Sequence, residues 1–292
     1  MLKRTERSGW QQRYLKSGEV RQEPINRRFL THETFIGNMQ RLSRSGALYD
    51  YLLAEDMKDH SGEYKLYIFL NCYTYDRDFL EAVNKLRQRN CTLLWLYAPG
   101  YTFEFENSVE NMRALTDMIL KKETEPLFPF VKLPDGSRMG GREVRISPSF
   151  YADDPDVQIL GTNEKDHPAL VSKKTGNARS MFSSAYRLDI SFLRKLAGES
   201  GIHLYSDTSD PVDANGNLVS LHARTPGKKT IRLPGKTNVV DVFNRKIVAR
   251  DTDTFTFEAP LHSSWLFYCG DDADELLKDL LSADSGTPVP SN

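Results

Sequence analysis

The chain has 292 residues, of which 39% are hydrophobic and 27% are charged. This length and composition are typical of a soluble protein that can form two domains. A formal net charge of −1 argues against nucleic acid as a partner, and no apolar run approaches the roughly 18 residues of a membrane span. The basic first residues lead into no apolar segment, so no signal peptide is expected.

Cysteine spacing excludes two further classes of protein. Cys72, Cys91 and Cys269 form an odd set without C-x-x-C spacing, so neither a metal site nor a disulfide framework is predicted. We therefore expect a cytoplasmic protein that uses no cofactor and binds neither nucleic acid nor a membrane.

The two ends of the chain carry opposite charges. Residues 1–30 hold eight Lys or Arg and three Glu, whereas residues 271–292 hold six Asp or Glu and one Lys. Charge-rich ends usually stay solvated. We interpret residues 1–30 as a basic N-terminal arm and residues 271–292 as a short acidic helix with a disordered tail; binding of partners by these ends is the alternative.

Hydrophobic periodicity predicts a helix over 33–45 and then a βαβ unit. The nearly continuous apolar stretch 65–70 is typical of a strand covered on both faces. Asp76 is placed to cap the following amphipathic helix, and the fully apolar stretch 92–97 is the second strand. A short strand–helix–strand connection implies a right-handed crossover and an open α/β sheet.

The α/β pattern continues to residue 201. Residues 123–155 are rich in Pro and Gly and are predicted to be irregular or to form short strands. The other predicted elements are a helix over 108–121, strands over 157–161, 169–173 and 178–184, and a helix over 190–199. Together these elements define an α/β domain over 31–201.

From residue 202 onward the hydrophobic period changes to two. Turn signals separate short alternating segments at a spacing of 8–12 residues, which is typical of a small antiparallel sandwich. The predicted strands are 218–223, 229–233, 239–243, 246–250, 254–258 and 264–268. A small all-β domain is therefore predicted over 202–270.

Three segments of the α/β part, YDYLLAEDM, YKLYIFLN and TLLWLYAPG, resemble the middle domain of glycoside hydrolase family 42 β-galactosidases. The run from LVSLHARTPGKKTIRLP to LHSSWLFY resembles the small β-domain that follows it, so the similarity covers about residues 31–270. The middle domain is a flavodoxin-like, class I glutamine-amidotransferase-like module used for trimerisation. The resemblance thus implies an α/β fold class: a flavodoxin-like open, mostly parallel sheet followed by a small antiparallel all-β sandwich.

The resemblance also implies what this chain lacks. Family members carry an N-terminal (β/α)₈ barrel with two catalytic glutamates, and we expect no barrel here because only 30 residues precede the α/β domain. The opening strand of the sheet would have to come from RQEPINRRFL. We therefore expect a non-catalytic, trimerisation-like assembly module in carbohydrate metabolism. Its partners would be further copies of itself or a separate glycosidase barrel.

An enzymatic alternative centres on Cys72. This residue follows a strand and precedes a helix, as the nucleophile of an amidotransferase-like domain does, and His167 is the nearest downstream candidate base. However, Asn71 and Tyr73 flank it where a nucleophile elbow needs glycine. Cys72 is therefore either a buried structural thiol or the nucleophile of a hydrolase or amidotransferase.

A third possibility is a sugar-binding crevice at the carboxyl ends of the two strands of the βαβ unit. Tyrosine rings with amide and carboxylate neighbours suit a sugar ring, which stacks on one face and forms hydrogen bonds at its edge. The alternative is a polar rim around an interface. The candidate residues are Asn71, Tyr73, Tyr101, Glu104 and Asn107.

The dipeptide Asn163-Glu164 is similar to the acid/base motif of barrel glycosidases. It lies in the polar stretch GTNEKDHP with no barrel strand before it. We therefore predict a surface loop at this position.

Overall fold

The structure, a computed structural model, describes residues 10–14, 20–24, 30, 32–60, 64–141 and 144–282. The chain divides into two compact units. The first comprises the described residues of Met1–Met39 and Tyr51–Phe192, and the second those of Gln40–Asp50 and Leu193–Asn292. Each unit has a hydrophobic core of its own.

Helices and strands are interspersed up to residue 116, and strands dominate the rest of the described chain. The first elements are β1 (Trp10–Tyr14), β2 (Val20–Pro24), a π-helical turn (His32–Ile36), α1 (Gly37–Leu42), a 3₁₀ turn (Ala54–Asp56), α2 (Met57–His60), β3 (Leu66–Phe69), α3 (Arg77–Arg87), β4 (Thr92–Leu96), β5 (Thr102–Phe103), β6 (Glu106–Asn107) and α4 (Val109–Thr116). They are followed by β7 (Leu120–Lys122), β8 (Phe130–Lys132), β9 (Arg138–Gly140), β10 (Phe150–Ala152), β11 (Gln158–Thr162), β12 (Pro168–Thr175), β13 (Ala178–Ser183) and α5 (Ile190–Glu199). The last elements are β14 (Val212–Asn215), β15 (Leu218–His222), β16 (Gly227–Asp241), β17 (Lys246–Ala259), β18 (Ser264–Cys269) and α6 (Ala273–Ser282).

The first unit is built on a seven-stranded sheet in the order β3-β4-β13-β12-β11-β8-β9. Strand β4 runs parallel to both β3 and β13, and the remaining neighbours are antiparallel. The predicted α/β class is confirmed, and its parallel strands form the half of the sheet that holds the βαβ unit. The other half is antiparallel because its connections are short; only Gly176 and Asn177 join β12 to β13, too few residues for a crossover.

The βαβ unit has the predicted form. The Asp76 carboxylate caps α3 by accepting a hydrogen bond from the Phe79 N–H at 2.9 Å, which satisfies one of the free donors at the helix start. All five residues of β4 are buried. The Trp95 ring stacks on Phe69 at 3.9 Å between ring centroids. Its indole N–H donates to the Ser180 hydroxyl at 3.1 Å, so Trp95 connects β4 to both of its neighbours.

The start of the chain departs from one expectation. The candidate opening strand is RQEPINRRFL, residues 21–30. Residues 21–24 of it belong to β2, which pairs with β1 in a separate two-stranded antiparallel sheet, and residues 25–29 lie outside the described residues. In the described part of the chain, β3 is therefore the edge of the main sheet. A strand in the main sheet needs an apolar face, and the sequence VRQEP has none; this explains why it pairs elsewhere. The rest of the predicted N-terminal arm lies outside the described residues, as does the tail after residue 282.

The second unit is a five-stranded antiparallel sheet in the order β14-β15-β18-β16-β17. The predicted antiparallel β fold is confirmed, but neighbouring predicted strands are fused into the long β16 and β17. Register shifts between Arg232 and Val239 mark the bend in this pair. In the sheet, β16 lies between β17 and β18, so these two strands share no hydrogen bonds. Their side chains nevertheless pack on each other because of the bend. Phe255 lies 4.8 Å from Phe267, so one folded sheet encloses the core that a two-sheet sandwich was expected to enclose.

None of the helices in the described ranges has the length and hydropathy of a membrane span. The predicted helix over 190–199 and the acidic helix near residue 273 are both present, as α5 and α6.

A buried ion pair stabilises the second unit. The Lys229 ammonium lies 2.7 Å from the Asp210 carboxylate, and the side chains are 2% and 1% exposed. The other carboxylate oxygen accepts the Arg224 N–H at 2.7 Å. Burial alone would raise the pKa of Asp210, but the hydrogen bonds from Lys229, Thr208 and the Arg224 backbone, together with the charge of Lys229, outweigh it and the net shift is downward.

Removing one member of this pair should destabilise the unit strongly. Asp210→Asn leaves the Lys229 ammonium buried without a counter-charge, so we expect a loss of about 3–5 kcal/mol in the free energy of unfolding. Urea unfolding followed by fluorescence measures it. The matched control is Asp274→Asn, which breaks an exposed pair with Arg250 and should change stability little. Similar losses in the two variants would contradict this role.

The same pair predicts an acid dependence. Because the folded-state pKa of Asp210 is lowered, its contribution is complete above the ordinary Asp value of about 4 and is lost as the pH falls through the folded-state pKa. Stability should therefore decline more steeply below about pH 4 in the wild type than in Asp210→Asn. Parallel acid-unfolding curves would contradict the prediction.

Candidate functional site

The carboxyl ends of β3 and β4 lie side by side, where parallel sheets usually place their ligands. The Gly100 N–H donates to the Cys72 carbonyl at 2.7 Å, and the Thr102 N–H donates to the Tyr73 carbonyl at 2.9 Å. These bonds bring the segment after β3 next to the segment after β4. Cys72, Tyr73 and Tyr101 of the predicted crevice are therefore neighbours.

The tyrosine rings in this region pack against one another and against the core. Tyr73 meets Tyr97 edge-on at 5.9 Å, and Tyr101 lies 4.9 Å from Phe150. The Tyr73 hydroxyl donates to Thr34 at 3.3 Å, and burial raises its pKa to about 12. Each of the two rings therefore packs against one aromatic neighbour, and both side chains remain half-buried.

The other predicted crevice residues lie on the exposed rim. Glu104 is at the tip of the β5–β6 hairpin, and its carboxylate lies 3.7 Å from Arg77. The Asn107 amide oxygen accepts the Thr102 hydroxyl at 2.7 Å, which closes the base of that hairpin. Asn71 is exposed at the end of β3.

Tyr97 is the residue at the end of β4 that sequence reasoning missed. Its φ of +62° is rare for a bulky side chain, and a strained residue directly after a buried strand is the backbone arrangement of a nucleophile elbow. The side chain, however, is 4% exposed, and its hydroxyl donates to the Pro148 carbonyl at 2.7 Å. Burial raises the pKa of Tyr97 well above its usual range. The elbow position therefore holds an inert phenol.

Cys72 lies on the neighbouring strand end, without the positive φ of Tyr97. Desolvation raises the pKa of its thiol to about 12, so almost none of it is thiolate at neutral pH. Within the described residues, no histidine is hydrogen-bonded to Cys72. The predicted base His167 bonds a carboxylate instead.

That carboxylate is Glu123, the centre of a second polar cluster. Its side chain is 2% exposed, and Oε1 lies 2.8 Å from Nδ1 of His167 and 2.6 Å from the amide nitrogen of Asn163. The imidazole also lies on the Tyr151 ring, with centroids 4.4 Å apart. A carboxylate that orients an imidazole is typical of general-base sites, but no hydroxyl or thiol nucleophile in the described ranges is bonded to His167.

The loop predicted around Asn163-Glu164 is present as the turn between β11 and β12, but its first residues are less exposed than those of a surface loop. Asn163 is 2% exposed because its amide bonds Glu123, and both oxygens of Glu164 bond the Arg145 guanidinium. The sequence offered no signal for these contacts, since Glu123 and Arg145 lie in the stretch that was predicted to be irregular. Among the described residues, no group of three metal-ligating side chains converges.

Comparisons with known proteins agree with the predicted resemblance. No protein-family model matches the sequence, and no curated protein sequence matches it. Among solved structures, a β-galactosidase from Bacillus circulans sp. alkalophilus matches 84% of this chain and 38% of its own, with a TM-score of 0.61 and 16% identity. A catalytic mutant of Gan42B, a GH42 β-galactosidase from G. stearothermophilus, matches 84% of this chain and 37% of its own, with a TM-score of 0.62 and 16% identity.

This chain has the fold of a part of family 42 β-galactosidases. The predicted resemblance is thereby confirmed at the level of fold, and the chain spans well under half the length of these β-galactosidases. An α-L-fucosidase isoenzyme 2 from Paenibacillus thiaminolyticus also matches 82% of this chain and 45% of its own, with a TM-score of 0.55 and 14% identity. The shared architecture thus occurs in glycosidases of different specificity.

The thiol chemistry of this β-galactosidase-like chain is directly testable. With a pKa of about 12 for Cys72 and about 11 for Cys269, we expect both to react with a disulfide reagent at neutral pH at least roughly tenfold more slowly than glutathione, because the loss of thiolate outweighs the higher nucleophilicity of each thiolate. Labelling followed by mass spectrometry measures each site, and the urea-unfolded chain is the control. Rapid labelling of Cys72 in the native protein would contradict the raised pKa of its thiol.

The Glu123 cluster should matter for stability. Glu123→Ala leaves the buried Asn163 amide and the imidazole without their acceptor, so we expect a loss of about 1–3 kcal/mol. Glu123→Gln retains one acceptor oxygen and should cost less. Urea unfolding compares the two variants, and equal stability of Glu123→Ala and the wild type would contradict this role.

Proposed function

We propose that this chain is a non-catalytic assembly module of the β-galactosidase type, with a trimer as its assembled form, and that it acts in carbohydrate metabolism. The observation that carries the proposal is the coverage of the match: the fold extends over 84% of this chain but only 38% of a β-galactosidase. On this proposal the chain serves the assembly of a larger glycosidase, and it needs no active site of its own.

The carboxylates of the chain support a non-catalytic role. Glycoside hydrolysis needs two carboxyl groups facing the same bond, about 5–5.5 Å apart in retaining enzymes. The buried carboxylates here are each bound to partners of their own. Glu123 bonds an amide and an imidazole, Asp154 accepts two backbone N–H groups and Lys173, and Asp241 binds Asn244.

The alternatives have less support. A hydrolase or amidotransferase using Cys72 needs a thiolate, and the raised pKa of that thiol keeps it protonated. In the Tyr73/Tyr101 crevice, the two rings already pack on Tyr97 and Phe150, which leaves less of their surface for a sugar.

The proposed partners are further copies of this chain or a separate glycosidase barrel, and the proposed compartment is the cytoplasm. Three free cysteines with no disulfide are compatible with a reducing compartment.

Light scattering coupled to size-exclusion chromatography tests the assembly role. We expect a mass near three times the chain mass of 33.4 kDa that falls on dilution. Assays of the same fractions with nitrophenyl galactosides should show no turnover. A monomer at every concentration, or galactoside hydrolysis that follows the protein peak, would contradict the proposal.

A further inference from the structure

Two histidines on the surface of the second unit lie side by side although they are far apart in the sequence. His222 is the last residue of β15, and His262 lies in the turn between β17 and β18. Both are exposed. Their ring centroids are 6.4 Å apart, and their ring planes differ by only 22°. Neither residue belongs to the tyrosine crevice, to the Glu123 cluster or to the buried ion pair of Asp210.

Backbone hydrogen bonds hold the turn against the end of β15. The His262 N–H donates to the Ala223 carbonyl at 2.8 Å, and the Ala223 N–H donates to the Ser263 carbonyl at 2.8 Å. The Ser263 hydroxyl donates to the Pro260 carbonyl at 2.7 Å and accepts the Trp265 indole N–H at 2.9 Å. The fold therefore fixes the backbone positions of the two histidines, and only their side-chain torsions remain to be ordered when a ligand binds.

The ring of His222 is oriented by a neighbour. Its Nδ1 lies 2.9 Å from the hydroxyl of Ser264, which stands directly opposite His222 in the β15–β18 pair. A hydroxyl oxygen can accept the Nδ1 proton of a neutral imidazole, and that tautomer leaves the lone pair of Nε2 for a ligand. Histidines that bind metals typically donate their second ring nitrogen to an acceptor in this way. His222 therefore has the arrangement of a metal-ligating histidine.

The separation of the two rings fits a single metal ion. Metal–nitrogen distances of about 2.0–2.1 Å put the centroid of a bound imidazole about 3 Å from the ion, so two rings on one ion have centroids about 4.5–6.5 Å apart. The observed 6.4 Å is at the upper end of this range, and a small rotation of either exposed side chain brings the rings closer. Neutral imidazole is a ligand of Cu²⁺, Ni²⁺ and Zn²⁺, and among these ions Cu²⁺ binds nitrogen ligands most tightly.

We propose that His222 and His262 together bind one divalent transition-metal ion, with Cu²⁺ the ion that binds most tightly. No third histidine, cysteine or carboxylate among the residues that the structure describes completes a set of three ligands with the pair. Water therefore fills the remaining positions, which suits the tetragonal coordination of Cu²⁺. The site is independent of the proposed assembly role, since both ligands belong to one chain.

Calorimetric titration of the full chain with Cu²⁺, Ni²⁺, Zn²⁺ and Mg²⁺, in a buffer that does not bind metals, tests the proposal. We expect one strongest Cu²⁺ site per chain, weaker binding of Ni²⁺ and Zn²⁺, and no binding of Mg²⁺, which prefers oxygen ligands. Electron paramagnetic resonance at one equivalent of Cu²⁺ should show two nitrogen ligands. No Cu²⁺ binding, Mg²⁺ binding as tight as that of Cu²⁺, or one Cu²⁺ shared between two chains would overturn the proposal.

Two variants locate the site. His222→Gln and His262→Gln should each weaken the strongest Cu²⁺ site about tenfold or more and leave one nitrogen ligand in the resonance spectrum. His203→Gln is the matched control, because His203 is a single exposed histidine of the same unit whose Nε2 lies 2.8 Å from the Arg232 carbonyl. Thermal unfolding without metal confirms that the three variants are folded. Unchanged affinity in either variant of the pair, or an equal loss in His203→Gln, would overturn the assignment.

Discussion

The stacked contact between Phe69 and Trp95, 3.9 Å apart at the centre of the parallel strands, is the interaction on which the first unit depends. Trp95 is fully buried and donates its indole N–H to Ser180 on β13, whose hydroxyl in turn donates to the Thr116 carbonyl at the end of α4. One side chain therefore holds three strands and a helix end in register. Truncation of a buried aromatic residue of this size typically costs about 3–5 kcal/mol, a large part of the stability of a domain.

This contact fixes β3 and β4 side by side and so brings the segments after them together. The space between those segments is occupied by the protein's own side chains. In most α/β proteins this edge of the sheet remains open for a ligand. Here Tyr97 has the backbone conformation of a nucleophile elbow but a buried phenol, and Tyr73 and Tyr101 cover it. Polar side chains that are held by hydrogen bonds or ion pairs lie instead on the antiparallel half of the sheet, around Glu123 and along the β8–β9 hairpin. These contacts are the physical basis on which we propose a non-catalytic role.

Much of this fold could be predicted from local patterns. The Asp76 cap, the βαβ unit and α5 follow from short-range periodicity, which depends on neighbours in sequence. The fusion of predicted strands into the long β16 could not be predicted from the sequence. Pro234-Gly235 is a typical turn dipeptide, whereas in the structure these residues lie within β16. The positive φ of Tyr97 has no sequence signal, since it is imposed by the packing around β4. Glu123 bonds Asn163 and His167, which are 40 and 44 positions further along the chain. Local sequence patterns do not predict contacts over such separations. By contrast, the turn Pro134-Asp135-Gly136 could have indicated the β8–β9 hairpin and hence the pairing of Lys132 with Arg138.

The central claim is that the strand-end position of this fold is closed by a buried, unreactive Tyr97. Spectrophotometric titration of the tyrosines in the wild type and in Tyr97→Phe tests it most directly, because tyrosinate absorbs where tyrosine does not. Burial raises the pKa of Tyr97 far above the ordinary value of about 10. The two titration curves should therefore coincide up to about pH 11, as long as the protein remains folded. A group that titrates near pH 10 in the wild type and is missing from Tyr97→Phe would show that the position is open to solvent and would contradict the account.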